Sequence, residues 1–123
     1  MKCALITNPQ KYEVQQVLHQ TLVWAQEKEI HCYINQQTAE SLTIVKSSNL
    51  HFCQGDASAI EASDLLIVIG GDGTMLYAAR LARGLEKPIL GINSGHLGFM
   101  NDVSIDEMYS ALDALIKKNY TLD

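Results

Sequence analysis

Residues 65–80 read LLIVIGGDGTMLYAAR. Leu65 to Ile69 is apolar at every position, which suits a strand buried on both faces of a parallel sheet rather than a half-exposed antiparallel one. The run breaks at Gly70-Gly71-Asp72-Gly73, and Met75, Leu76, Ala79 and Ala82 follow at helical spacing. That spacing predicts a helix over 74–83 with Gly84 as its stop. A buried strand that turns through glycines directly into a helix is a building unit of parallel α/β sheets.

The flanking sequence repeats the same alternation. Cys3 to Thr7 reads as a strand that ends at Asn8-Pro9. Val14, Val17, Leu18, Thr21, Leu22 and Ala25 then put one apolar face on a helix over 12–28. Residues 30–34 are β-rich, whereas 35–54 is mixed, with apolar pairs Ile44/Val45 and Leu50/Phe52 that define no element. Pro88 to Ile92 reads as a further buried strand, with its proline at the strand end. Near the carboxyl terminus, Ser104 and Glu107 have capping-box spacing. Ile105, Met108, Tyr109, Leu112, Leu115 and Ile116 then share one helical face. Alternating strands and helices predict an α/β fold: an open, mostly parallel sheet flanked by helices in a Rossmann-like three-layer arrangement. In such sheets, ligands bind beyond the carboxyl ends of the strands.

A length of 123 residues, 47% of them hydrophobic, is enough for one domain with a core. The first residues lack the pattern of a signal peptide, and no run is long enough to span a membrane, so a soluble cytoplasmic protein is expected. Cys3, Cys32 and Cys53 are odd in number and widely spaced, which predicts reduced, mostly buried thiols rather than a disulfide framework or a zinc site. A net charge of −5 offers no electrostatic footprint for nucleic acid or an anionic membrane. Arg80, Arg83 and Lys87 read as a solvated helix face rather than a phosphate clamp.

The chemistry concentrates in two glycine clusters, each directly after a predicted buried strand. Gly70, Gly71 and Gly73 permit a sharp bend and a close approach to a ligand. The next helix then aims its free N–H groups and partial positive charge at the same place, which favours phosphate. The spacing is neither GxGxxG nor Walker A. Asp72 lies inside this loop. It either caps the helix by accepting orphan N–H groups, or it accepts a proton from a hydroxyl that attacks phosphorus. The second cluster, GINSGHLGFM at 91–100, ends on Phe99 and Met100, which lie against a base ring or join the core. His96 has no nearby nucleophile and reads as a structural loop histidine. No metal-ligand cluster is evident.

Taken together, GGDGTMLYAAR at 70–80 and LGINSGHLGFM at 90–100 resemble the paired motifs of the NAD kinase family. GGDG alone also occurs in lipid kinases of the diacylglycerol and sphingosine type and in phosphofructokinases; the second motif separates them. The likeness covers nearly the whole chain. It implies phosphorylation of the adenosine ribose 2′-hydroxyl of NAD to give NADP, with ATP (in some members polyphosphate) as donor and Mg²⁺ or another divalent cation accompanying it. By position, Asp72 is implied to orient and deprotonate that hydroxyl, and Gly73 to contact the dinucleotide beside it. Gly70, Gly71, Gly73 and Thr74 are implied to shape the phosphate loop, and Phe99 and Met100 to line the adenine pocket. Tyr77 stands where some members carry a basic residue that contacts phosphate.

The resemblance further implies that residues 1–123 form the N-terminal α/β domain of a homo-oligomeric enzyme. The NAD-binding β-rich C-terminal domain of that enzyme is not among these residues, so the fragment is expected to be inactive alone. The alternatives are a GGDG-type lipid or sugar kinase domain and a non-catalytic nucleotide-binding module.

Overall fold

A computed structural model describes residues 1–8, 12–44 and 46–93 of the chain. Its elements are β1 (Lys2–Thr7), α1 (Tyr12–Glu27), β2 (His31–Asn35), α2 (Gln36–Ser41), β3 (Leu50–Cys53), α3 (Asp56–Ala62), β4 (Leu65–Gly70), α4 (Asp72–Leu81) and β5 (Ile89–Asn93). The five strands form one sheet in the order β3-β2-β1-β4-β5, with every adjacent pair parallel. The expected open parallel α/β architecture is therefore present. The predicted helix from Ser104 and the loop carrying His96, Phe99 and Met100 lie outside the described residues.

Burial on both faces explains why β4 reads as an unbroken apolar run. All its residues are buried, and successive side chains enter opposite layers, as the two-residue period of a strand requires. Cys3, Leu5, Leu65, Ile67 and Ile69 pack with Val14, Leu18, Trp24 and Ala25 of α1 and with Ala39 of α2. Ala4, Ile6, Leu66 and Val68 pack with Ala59 and Ile60 of α3 and with Ala78 and Ala82 beside α4. Three layers result, helices on sheet on helices. Leu65, Leu66, Ile67 and Ile69 are each at most 1% exposed, and full burial of such a side chain stabilises the fold by about 1.5–3 kcal/mol.

The structure shifts several expected boundaries. β2 begins at His31, one residue later than the sequence pattern implies, and the mixed region contains α2 and β3. α4 begins at Asp72 rather than Thr74, so Asp72 and Gly73 belong to its first turn. Its inward face also differs from the expected one. Ala78 and Ala82 are buried and Met75 and Leu81 half-buried against the sheet, whereas Leu76 is 54% exposed and Ala79 faces solvent. The stripe against the sheet is therefore Met75, Ala78, Leu81 and Ala82.

The three thiols are free. Burial pushes Cys3 up to about 12, outweighing the lowering effect of the nearby amino terminus. Burial likewise raises Cys32 and, less deeply set, Cys53. These groups behave as small apolar core residues rather than nucleophiles.

Candidate functional site

The sheet order places β1 beside β4 at the centre, with the chain crossing from β1 to β2 on one side and from β4 to β5 on the other. That reversal opens a crevice at the carboxyl ends of the two central strands. A cavity of about 480 Å³ occupies it, lined by Thr7 at the end of β1 and Asn8 after it, Val14 of α1, the stretch Gly70 to Thr74, and Tyr77 of α4. Sequence reasoning had found the glycine loop but not Thr7, Asn8 or Val14 as its neighbours. The sequence marks a strand end at Asn8, but only the strand order shows that Thr7 and Asn8 lie beside the glycines.

Each glycine of the loop has its own environment. A β-carbon on Gly70 would lie 2.7 Å from Thr74 Oγ1 and 2.8 Å from Thr74 Cβ. Gly70 therefore lets α4 begin directly against the end of β4. Gly71 and Gly73 are different: a β-carbon on either would meet nothing within 4 Å. Gly71 has an extended φ of −95°, and Gly73 has no positive φ. Neither packing nor backbone conformation within the described residues calls for glycine at these two positions. Their bare backbone faces open space, and that suits close approach of a ligand.

Asp72 is the first residue of α4, and Gly71, the residue at the cap position, makes no side-chain capping bond. The Gly71 carbonyl accepts the Met75 N–H at 3.0 Å, which starts the helical ladder. The carboxylate of Asp72 is exposed. The capping reading is thus set aside by geometry, because the cap position belongs to Gly71. A negative side chain in the first turn still interacts favourably with the helix dipole. Around it, the opening N–H groups of α4 lack intrahelical acceptors, and the residues that carry them line the cavity. Thr7 Oγ1 is buried and has no hydrogen-bond partner among the described residues, and an unmatched hydroxyl of this kind costs about 1–3 kcal/mol.

Tyr77 closes one side. Its hydroxyl donates to Asp56 Oδ2 at 2.6 Å, joining α4 to the first turn of α3. That bond, with smaller effects of burial and of the Asp56 charge, pushes the Tyr77 phenol up to about 12. The hydroxyl proton is engaged by Asp56, so towards the cavity the oxygen acts as an acceptor and does not replace a basic phosphate contact.

The basic residues after the loop lie elsewhere. Arg80 and Arg83 are exposed and absent from the lining. Lys87 donates to the carbonyls of Ile60 at 2.6 Å and Ser63 at 2.7 Å, at the end of α3 and the opposite end of the sheet. Among the described residues, no three His, Cys, Asp or Glu side chains converge on a possible cation. No described helix is long and apolar enough to cross a membrane. Gly70, Gly71, Asp72, Gly73 and Thr74 come together as expected, while Phe99 and Met100 lie outside the described residues.

Residues 3–120 match the family model described as the ATP-NAD kinase N-terminal domain. An NAD kinase of Geobacter metallireducens is 50% identical over 60 residues, which cover 49% of this chain and 21% of that protein. An NAD kinase of Thermoanaerobacter sp. (strain X514) is 31% identical over 122 residues, covering 99% of this chain and 41% of its own length. The chain therefore spans less than half the length of the curated relatives that it matches. Among solved structures, yeast NADH kinase complexed with NADH superposes with a TM-score of 0.76 at 19% identity, covering 97% of this chain and 38% of that one. That likeness is one of fold. With the family model matching almost from end to end, the chain belongs to the ATP-NAD kinase N-terminal domain family.

Proposed function

We propose that this chain supplies the catalytic-loop half of an enzyme that transfers a phosphoryl group from ATP to the adenosine ribose 2′-hydroxyl of NAD, giving NADP. One observation carries the reading. Asp72 stands exposed, with no capping bond at its helix start, between two glycines whose missing side chains the fold does not require. Such a carboxylate is available to a substrate hydroxyl: it orients the attacking oxygen and accepts its proton as the bond to phosphorus forms. The N–H groups that open α4 belong to residues lining the same cavity and would meet phosphate oxygens there. Gly71 and Gly73 let those oxygens reach the backbone.

A divalent cation such as Mg²⁺ suits this donor set. Among the described residues the cavity lining carries one carboxylate, Asp72, and no Lys or Arg, and Mg²⁺ is commonly held by one or two carboxylates together with substrate phosphates and water. Asp72 is the side chain that would face it, and when bound the ion supplies neutralisation of the phosphate charge. Phe99 and Met100 complete the reading as contacts of the adenine ring. A homo-oligomeric enzyme acting in the cytoplasm belongs to the same proposal. Apolar Leu76, Leu85 and Ile89, all exposed among the described residues, give surface that association would cover.

The decisive measurement is the rate of NADP formation by the complete protein carrying this sequence, with ATP, NAD and Mg²⁺. Asp72→Asn is expected to lower kcat by about 10²- to 10⁴-fold with a much smaller effect on NAD binding. Unchanged turnover in that variant, or phosphorylation of a lipid or sugar but not NAD by the parent, would overturn the reading.

A further inference from the structure

The packing of α4 leaves the lateral placement of its first turns to few side chains. The helix rests on the sheet through the small buried residues Ala78 and Ala82, with Leu81 partly buried beside them and Met75 the one long side chain of its first turns that reaches the sheet, against Gly91 of β5. Alanines set the distance between helix and sheet, but they carry no side chain long enough to interdigitate and resist sideways sliding. At the first turn, Gly71 supplies no side-chain cap and Gly73 no side chain at all. A tie to a neighbouring helix would add to these contacts in fixing the carboxylate of Asp72 across the cavity.

Tyr77 has the geometry of that tie. It lies five residues beyond Asp72, about 7.5 Å along the helix axis, and its ring lines the same cavity. Its hydroxyl meets Asp56 Oδ2 at 2.6 Å, within the range of a short charge-assisted O–H···O⁻ bond. Asp56 opens α3, and α3 is anchored in the same layer by the buried residues Ala59 and Ile60. The bond therefore couples the first turns of α4 to an element with its own hold on the sheet.

We propose that Tyr77 is a positioning residue: through its hydrogen bond to Asp56 it sets the lateral placement of α4, and with it the aim of the Asp72 carboxylate. This inference rests on the reading of Asp72 as the group that handles the substrate hydroxyl. Tyr77 acts through placement rather than by donating to phosphate, since its proton is held by Asp56. Misplacement of a reacting group by about 1 Å can cost as much as 10²-fold in rate, so a partial loosening should give a smaller but measurable loss.

The test uses the complete protein and separates kcat from KM. Tyr77→Phe keeps the ring and removes the hydroxyl; it is expected to lower kcat by about 5- to 20-fold while KM for NAD changes by less than about twofold. Asp56→Asn keeps an oxygen acceptor and should retain at least about half of kcat. Asp56→Ala should reproduce Tyr77→Phe, and the double variant Tyr77→Phe/Asp56→Ala should be no slower than either single variant, since both remove one bond. Thermal unfolding of each variant gives the folded fraction to which kcat is normalised. The inference is overturned if normalised kcat in Tyr77→Phe equals that of the parent, if KM for the phosphoryl donor rises instead, or if the two single losses multiply. Should the parent itself fail to phosphorylate NAD, or Asp72→Asn retain full rate, the underlying reading and this inference fall together. An active, Asp72-dependent parent with an indifferent Tyr77→Phe removes the inference alone.

Discussion

The two ends of the sheet are built on opposite terms. At the amino ends of the strands, polar groups of the chain satisfy one another. The backbone N–H of Lys2 donates to Asp64 Oδ2 at 3.2 Å, Asp64 N–H donates to the Lys2 carbonyl at 2.8 Å, and Leu66 N–H donates to the Pro88 carbonyl at 2.9 Å. Lys87 covers the last carbonyls of α3, and Ser63 Oγ donates to the Ala59 carbonyl at 2.9 Å. At the carboxyl ends, Thr7 Oγ1 lacks a partner among the described residues, α4 starts without a side-chain cap, and Asp72 stands in the open. Closed bonding at one end maintains the fold. The groups left unmatched at the other end are those that a ligand would meet.

The sharpest way to break this contrast is to remove one charge from each end. Asp72→Asn should leave the melting temperature nearly unchanged while turnover falls as described above. Lys87→Met should do the reverse. Losing charge-assisted hydrogen bonds to carbonyls costs about 1–3 kcal/mol of stability, with kcat per folded molecule unaltered. Denaturant unfolding and normalised kinetics on the two variants check both halves. A stable Lys87→Met protein with impaired catalysis would dissolve the distinction.

The glycines provide a finer cut within the carboxyl end. Gly70→Ala drives a methyl group into Thr74 and is expected to destabilise by about 1–3 kcal/mol, as overpacking does. Gly73→Ala meets no obstacle and replaces glycine within a helix, so stability should hold or rise by up to about 1 kcal/mol, while affinity for a phosphate-bearing ligand falls. Calorimetric titration of the complete protein with NAD and with ATP, beside thermal melts, separates the two effects. Equal stability losses at both positions would show that the open space beside Gly73 has no functional meaning.

The smallest expected effect lies at the amino ends and depends on pH. His31 Nδ1 and His51 Nε2 are 2.9 Å apart, on rings inclined by 24°, so one proton serves a bond between β2 and β3. His51 lies below its ordinary value of 6.5, first through burial and then through the nearby charges of His31, Lys46 and Lys2. With the folded value lowered, the folded state binds fewer protons than the unfolded one. The contribution is fully present above the ordinary value and is lost as pH falls below it towards the folded value. The melting temperature should therefore decline on acidification below about 6.5, and His51→Asn should flatten that decline. A steeper decline in the variant would contradict the assignment.

The central strands were legible because their environment forces a simple pattern: burial on both faces leaves β4 no polar position. The long α1 helix was legible through repeated turns of one apolar stripe. α2, β3 and α3 were not, since elements of 6, 4 and 7 residues hold too few periods to be told from irregular chain. β3 is also an edge strand, half-buried beyond Leu50, so its pattern is diluted. The start of α4 was misplaced for another reason. Glycine and aspartate are weak helix formers, yet the end of β4 and the hydrogen bond from Met75 N–H to the Gly71 carbonyl draw Asp72 and Gly73 into the first turn. In the site, Gly70 to Thr74 could be read from the sequence. Their convergence with Thr7, and the pairing of Tyr77 with Asp56 across 21 positions, required the strand order and the helix register.

The placement of β1 at the centre has a consequence for the order in which the molecule can assemble. Its inner partner is β4 rather than a sequence neighbour, and contacts such as that between Lys2 and Asp64 span 62 positions. During synthesis β1 can pair with β2 early, but its other edge waits until β4 has been made. Bringing such distant segments together carries the loop-closure cost that slows parallel sheets. The cavity forms at that same seam, so the ligand site should be among the last features to appear during folding. Once β1 is hydrogen-bonded on both edges, its amides should exchange with solvent only through opening of the whole sheet.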